Sequence, residues 1–465
     1  MTTVGEEAKV VVVGGGLAGM TAALDCADAG ADVTLLEARG WLGGATFSIE
    51  RDGLWMDNGQ HVFLRCCSAY RSFLARLGVE SDAVLQDRLE IAVLEPRRRP
   101  ARLRRSGLRA PFHLAGALAR YRALSARERV AAARAGRALG GLDPADPELD
   151  RRTFGEWLAE HGQTPRAVEA VWDLIALPTL NLHAREASLA LAAKVFRTGL
   201  LEESGAGDIG YAAVPLARLH GDPAQRRLEA AGADVRIRAR AARIEPQGER
   251  FVVVADGTSL EADAVVLAVP HDEAARLLPP GALASSAELV RLGSSPIVNL
   301  HVVYDRKVFD LPFAAGLRTP VQFVFDRTAS GGLDGDGQYL AVSLSCARDY
   351  ARRPVDELRR EFVPALAKLL PRASTATVER FFVTREQQAT FLQAPGTARL
   401  RPGPRTQTAG LALAGAWTDT GWPATMEGAV RSGHAAARVA LDHLGLQVGL
   451  ERPSKRRQEL EGAAA

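Results

Sequence analysis

A run of glycines set between a strand and a helix constrains this chain more than any other feature. Lys9–Val13 is a short β-branched run, the pattern of a strand buried on both faces. Gly14-Gly15-Gly16-Leu17-Ala18-Gly19 follows directly, and Leu17, Met20, Leu24 and Ala27 then recur at helical spacing. Ala29-Gly30-Ala31 closes that helix, and Asp32–Leu36 reads as a second strand ending at Glu37. Strand, tight turn, helix and strand, with an acid at the end, make the βαβ unit that binds dinucleotides. Gly14, Gly16 and Gly19 suit the tight turn, the close backbone approach to a pyrophosphate and the helix–strand packing. The helix start at Leu17-Ala18 directs N–H groups and partial positive charge toward that phosphate. Glu37 can accept hydrogen bonds from both ribose hydroxyls and would repel a 2′-phosphate.

Length and charge narrow the rest. At 465 residues the chain exceeds one compact core and implies two or three domains. Its formal charge of +3, from 58 basic and 55 acidic side chains, argues against a general nucleic-acid binder. Cys26, Cys66, Cys67 and Cys346 form no disulfide framework and lack paired CxxC spacing. They read as reduced thiols of a cytoplasmic protein, and the scattered histidines suggest no metal. The start carries Glu6 and Glu7 and no cationic leader, and no stretch has the 18 or so apolar residues of a spanning helix.

Along the chain, the pattern after Asp57 is more helical, and from Ala92 to Ala132 it is also basic, with ten arginines and no acid between Glu95 and Glu128. Phe154–Leu201 is helical again. Gly232–Ile244, Phe251–Ala255 and Ala264–Val269 read as strands, and Ile297–Tyr304, Val321–Asp326 and Tyr339–Ser345 as a separate group. Leu411–Ala414 leads into a glycine-rich turn and a helix from about Ala424 to Leu444. The fold class is therefore α/β: a discontinuous Rossmann-like dinucleotide domain over 1–75, 216–290 and 398–447. An α+β substrate domain over 76–215 and 291–397 interrupts it, and a disordered tail spans 448–465.

Glu37-Ala38-Arg39 followed by Gly43-Gly44 marks a second close pass by the cofactor. This segment resembles the flavin amine oxidase and phytoene desaturase superfamily, whose pattern is E-A-x-x-x-x-G-G-R. Met56-Asp57-Asn58-Gly59-Gln60 looks like its segment along the flavin ring. Gly415-Ala416-Trp417-Thr418-Asp419-Thr420-Gly421-Trp422-Pro423-Ala424-Thr425-Met426-Glu427-Gly428-Ala429 looks like its closing motif. The resemblance implies non-covalent FAD, since no cysteine stands near the closing motif for a thioether. It implies that Asn58, Gly59 and Gln60 line the ring and that Ala424, Thr425 and Met426 bring a helix N-terminus to its N1–C2=O edge. Ala264–Pro270 resembles the layer over adenine, with Ala241 offering its backbone. The pattern's arginine after Gly43-Gly44 is Ala45 here, and an acid common after the first closing glycine is Ala416. Arg39 and Asp419 are the neighbouring candidates to compensate.

Within the superfamily, Asp57-Asn58-Gly59-Gln60-His61 and Thr420–Glu427 resemble the hydroxysqualene dehydroxylases of bacterial hopanoid synthesis. Asn181, Ala187-Ser188 and Val214-Pro215-Leu216 match the same group. This implies reductive removal of a hydroxyl from a long isoprenoid, hydroxysqualene to squalene, with an electron donor that recharges the flavin. His61 and Asp419 are the candidate acids; packing, or a ribityl contact for Asp419, is the plainer reading of each. The rivals are a carotenoid desaturase of phytoene type, an amine oxidase, for which no aromatic cage is recognisable, and a non-catalytic prenyl-lipid carrier. Arg97–Arg109, followed by Pro111-Phe112-His113-Leu114 and Ala115–Ala119, is basic and then apolar, a segment within 92–132 that can lie peripherally on an anionic membrane.

Overall fold

A computed structural model describes residues 7–447, so the tail expected to be disordered lies outside the described residues. A parallel sheet is assembled from three distant stretches in the order Asp234–Ile237, Asp32–Glu37, Lys9–Val13, Ala264–Leu267 and Leu411–Leu413. Its central strand is valine-rich because both faces are covered. Val10 and Val12 pack with the helices Leu17–Asp28 and Met426–Leu444, while Val11 and Val13 face the opposite core. The two helices lie so close that a Cβ on Gly433 would run into the Ala18 carbonyl. On the second face sits an antiparallel sheet of Ala241–Gln247, Arg250–Ala255 and Thr258–Ala262.

A seven-stranded sheet runs in the order Val378–Thr390, Ser295–Tyr304, Gln338–Leu344, Phe323–Asp326, Phe313–Gly316, Glu90–Leu94 and Ala101–Arg104. Alternation along Ser295–Tyr304 divides its work. Val298, Leu300 and Val302 pack beneath the helix Val355–Leu369, against Leu358, Phe362 and Leu366. Asn299 and His301 point the other way and are completely buried.

Two expectations are corrected. Gly232–Ile244 is two strands in different sheets: Arg238 adopts φ +57° and turns the chain out of the parallel sheet after Ile237. The basic stretch, read as helical, begins with the hairpin Glu90–Leu94 and Ala101–Arg104, where Leu103 packs inward and Arg102 and Arg104 project outward. Phe154–Leu201 is helical as the periodicity predicts. Asn181, in the left-handed region at φ 49°, ends one of its helices and fastens it to the large sheet. Its Nδ2 donates to the Ser295 carbonyl at 2.9 Å and its Oδ1 accepts the Cys346 N–H at 2.6 Å.

Candidate active site

The glycine turn is defined by what it has no room for. A Cβ on Gly14 (φ +108°) would strike the Ala268 carbonyl, and one on Gly19 would strike the carbonyl of Gly14. Gly44 (φ +58°) passes so near that its Cβ would lie 2.7 Å from the Gly16 Cα, and the Gly43 N–H donates to the Gly15 carbonyl at 2.8 Å. Gly16 is different: a methyl there would meet only the Gly44 Cα, at 3.6 Å, so packing within the protein does not require glycine. The helix beginning at Leu17-Ala18-Gly19 has no capping side chain and no acid in its first turn. Its leading N–H groups are available to an anion, and the residues present fit a dinucleotide pyrophosphate. Glu37 is buried beside them, its Oε2 accepting the Gly15 N–H at 2.8 Å and its Oε1 the Arg39 N–H at 2.7 Å.

The segment Asp57–His61 is locked from several directions. Asp57 accepts from Arg327 Nη2 at 2.6 Å, Ser48 Oγ at 2.7 Å and the Leu216 N–H at 3.0 Å. Burial pushes its pKa up against the opposing pull of the Arg327 guanidinium. The Asn58 side chain is committed within the protein, accepting the Phe47 N–H at 3.1 Å and donating to the Ala45 carbonyl at 2.8 Å. Gln60 Nε2, His61 Nε2 and Asn299 Oδ1 are buried without a partner among the described residues. Polar atoms so placed suit the polar edge of a bound group. Between Asp57, Gln60, His61, Phe325 and Arg327 lies a cavity of about 10 Å³, the size of one water.

The large sheet presents its polar row to this segment. Asn299 Nδ2 donates to the Asn58 carbonyl at 2.8 Å, and Thr384 Oγ1 donates to the same oxygen at 3.3 Å. With the Thr384 proton so used, His301 Nε2–H donates to Thr384 Oγ1 at 3.0 Å and Tyr339 O–H donates to His301 Nδ1 at 2.6 Å, an assignment made from the network. Burial lowers the His301 pKa to about 3, so this imidazole is neutral. Glu386, two residues past Thr384 and opposite Ile297, belongs to the same face. Burial raises its pKa despite the nearby Arg39 guanidinium and a hydrogen bond with Asn58.

The closing motif is organised by a buried arginine that sequence reasoning missed. Arg401 donates to the carbonyls of Trp417 at 3.2 Å, Ala416 at 3.4 Å, Thr418 at 2.6 Å and Trp422 at 2.8 Å. Gly415 (φ +140°) donates its N–H to Ser432 Oγ at 2.8 Å, and the Trp417 indole donates to the Val269 carbonyl at 2.9 Å beside the glycine turn's own strand. Thr425 caps the helix that starts at Met426, and the Ala424 N–H donates to Gln393 Oε1 at 2.9 Å. Glu427 turns away, its buried carboxylate accepting the Ala69 and Tyr70 N–H groups at 3.2 and 2.8 Å. It thereby caps the helix Ser68–Leu77, which has no capping side chain of its own.

Residues 17–441 match the family described as flavin containing amine oxidoreductase. The chain belongs to this family. It is 32% identical over 441 residues to the hydroxysqualene dehydroxylase of Rhodopseudomonas palustris, covering 93% of this chain and 98% of that one. It is 26% identical to the 15-cis-phytoene desaturase of Capsicum annuum, covering 95% and 79%. Among solved structures, cyclohexylamine oxidase from Brevibacterium oxydans superposes with a TM-score of 0.68 at 18% identity, over 94% of this chain and 99% of that one, a likeness of fold. The protein is a flavin-dependent oxidoreductase with an amine oxidase-like α/β fold.

The expected site residues of this family member fall as follows. Gly43, Gly44 and Ala45 lie against the glycine turn, with Arg39 Nη1 donating to the Gly44 carbonyl at 3.0 Å, close to where the family's arginine would start. Ala38 and Arg39 are exposed. Ala241 is buried at the head of its strand, its carbonyl accepting from Arg276 at 3.2 Å. Burial and the Arg327 charge hold His61 at a pKa of about 4, so it is a neutral imidazole against Gly59 and carries no proton to give near neutrality. Asp419 is exposed in a surface turn, where its Oδ1 accepts the Gly421 N–H at 3.1 Å. Arg327, Asn299, Glu386 and Arg401 escaped the sequence reading, which had Glu427 only as part of the closing motif and not as a cap for another helix. Asn299 and His301 had a usable signal, being polar residues at alternate positions of an apolar strand.

Proposed function

We propose that this protein binds FAD non-covalently and reductively removes the hydroxyl of hydroxysqualene to give squalene. The observation that carries the reading is the convergence of glycine turn, ring segment and closing motif beneath a sheet face that sets one polar row, Asn299, His301, Thr384 and Glu386, beside the apolar Phe313, Phe323 and Phe325. The 32% identity over nearly the whole of a hydroxysqualene dehydroxylase supports the substrate. Reduced FAD, when bound, supplies hydride.

The chain's own residues supply the rest. An allylic C–O bond breaks when its oxygen gains a proton, leaving as water, and the carbon gains the hydride pair. Glu386 is the proposed proton donor: its carboxyl is held protonated to higher pH by burial and shares a sheet face with the groups bonded to Asn58. Asn299 and Thr384 hold the Asn58 carbonyl and so fix the segment beneath the reacting carbon. Phe323, Phe325 and Tyr211 line the apolar side of this face and exclude the water that would recapture a cation. Incubation of purified protein with hydroxysqualene, reductant and FAD, followed by product analysis, is expected to yield squalene. Dehydrogenation of phytoene with hydroxysqualene untouched would favour the desaturase instead.

A further inference from the structure

We propose that the loop Gly107–Phe112, with the arginines around it, docks this protein on an anionic lipid bilayer. The loop is a closed projection, its base fastened where the Ser106 N–H donates to the His113 carbonyl at 2.8 Å. It carries the two most exposed large apolar side chains among the described residues, Phe112 at 65% and Leu108 at 59%. Nothing in the fold explains two such side chains turned outward within one short loop.

The unpaired charge around them is positive. Arg109 sits between the two apolar tips, and Arg97 and Arg99 occupy the hairpin turn at the other end of the strand Ala101–Arg104. Among the described residues, none of these three has a carboxylate within ion-pair distance, whereas Arg102 and Arg104 share Glu90. The neighbouring helix Ala126–Gly140 adds Arg127 and Arg134 on either side of Val130, which is itself 52% exposed.

Greasy tips among unpaired arginines match a surface that is anionic outside and hydrocarbon beneath. A nucleic acid would use the arginines and leave Phe112 and Leu108 in water. Behind the loop, Leu114, Leu118, Tyr121 and Leu124 join the apolar core that continues to Phe313 and Phe325 on the site-facing side of the large sheet. A bilayer held here would adjoin the same apolar body that lines the candidate site.

The test is co-sedimentation of the holoprotein with phosphatidylcholine vesicles, with and without phosphatidylglycerol. Wild-type protein is expected to pellet with the anionic vesicles and hardly at all with the neutral ones. Leu108→Ser and Phe112→Ser should each weaken partitioning about ten-fold. Neutralising Arg97, Arg99 and Arg109 to Gln should weaken it about five-fold per residue. All these side chains are exposed, so an unchanged flavin absorbance serves as the folding control. Wild-type protein that ignores anionic vesicles, or variants that bind as it does, would overturn the proposal. So would a Phe112→Ser variant that splits a dimer in solution, which would assign the surface to a second copy. The vesicles carry no substrate, so failure here leaves the hydroxysqualene reading untouched.

Discussion

The Arg327 guanidinium donates from Nη2 to Oδ2 of Asp57 at 2.6 Å, with both side chains buried. The pair joins the segment Asp57–His61 to the large sheet, and Arg327 also donates to the Ala212 carbonyl at 2.9 Å. Removing one member leaves the other charge buried and unpaired, a cost of about 3–5 kcal/mol. Arg327→Met and Asp57→Leu should each lose that much in urea unfolding, and the double variant should lose less than the sum. Additive losses would mean that the two residues do not act as a pair.

The glycine cradle makes a second prediction. Gly44→Ala places a methyl 2.7 Å from the Gly16 Cα at φ +58°, where backbone has nowhere to retreat. Flavin affinity is expected to fall at least about ten-fold, read from the flavin absorbance of purified protein. Gly30→Ala is the control, with a comparable φ of +84° and nothing within 4 Å of the new Cβ. It should cost about 1 kcal/mol of stability and keep its flavin.

Stability should fall in mild acid. Burial lowers the pKa of His61 to about 4 and those of His220 and His301 to about 3, from an ordinary 6.5. As pH drops through 6.5 the unfolded chain takes up protons that the native protein refuses until about pH 4. Stability is therefore full above 6.5 and lost below it, at up to roughly 4 kcal/mol per pH unit when three protons are involved. Urea midpoints at pH 7.5, 6 and 5 should decline, a range above the ordinary carboxylate pKa of about 4. A flat profile would show that these rings are not buried neutral.

Glu386 makes the fourth prediction. Glu386→Gln keeps the shape and removes the proton, so turnover should fall about 10²–10³-fold while bound flavin and KM change little. The alkaline limb of the kcat profile should move or vanish with it, and Glu386→Asp should recover part of the rate. An unchanged profile in Glu386→Gln would remove this residue from the chemistry.

Much of the cofactor-binding half was legible because its demands are local. Glycine at 14, 19, 43 and 44 is dictated by a turn or a close approach, and the acid at 37 closes on the same turn through the Gly15 and Arg39 N–H groups. The large sheet was less legible because its pairings are not. Nothing near Asp57 announces Arg327, 270 positions away, and nothing near Trp417 announces that Arg401 will bind four carbonyls of its turn. The hairpin Glu90–Arg104 was hidden by arginine, which serves a strand's exposed face as readily as a helix's. The break at Arg238 was hidden because arginine, unlike asparagine or aspartate, does not signal a positive φ. Asp419 and His61 were legible by motif, yet exposure and charge state are set by packing, and these weaken both as acids.

The central claim is that a reduced flavin in this fold gives its electrons to an allylic alcohol. Mixing anaerobically reduced holoprotein with hydroxysqualene in a stopped-flow cell tests it most directly. Return of the oxidised flavin spectrum, with one squalene formed per flavin, is the predicted result. A flavin that stays reduced with hydroxysqualene present, and is instead bleached from its oxidised form by a carotenoid precursor, would contradict it.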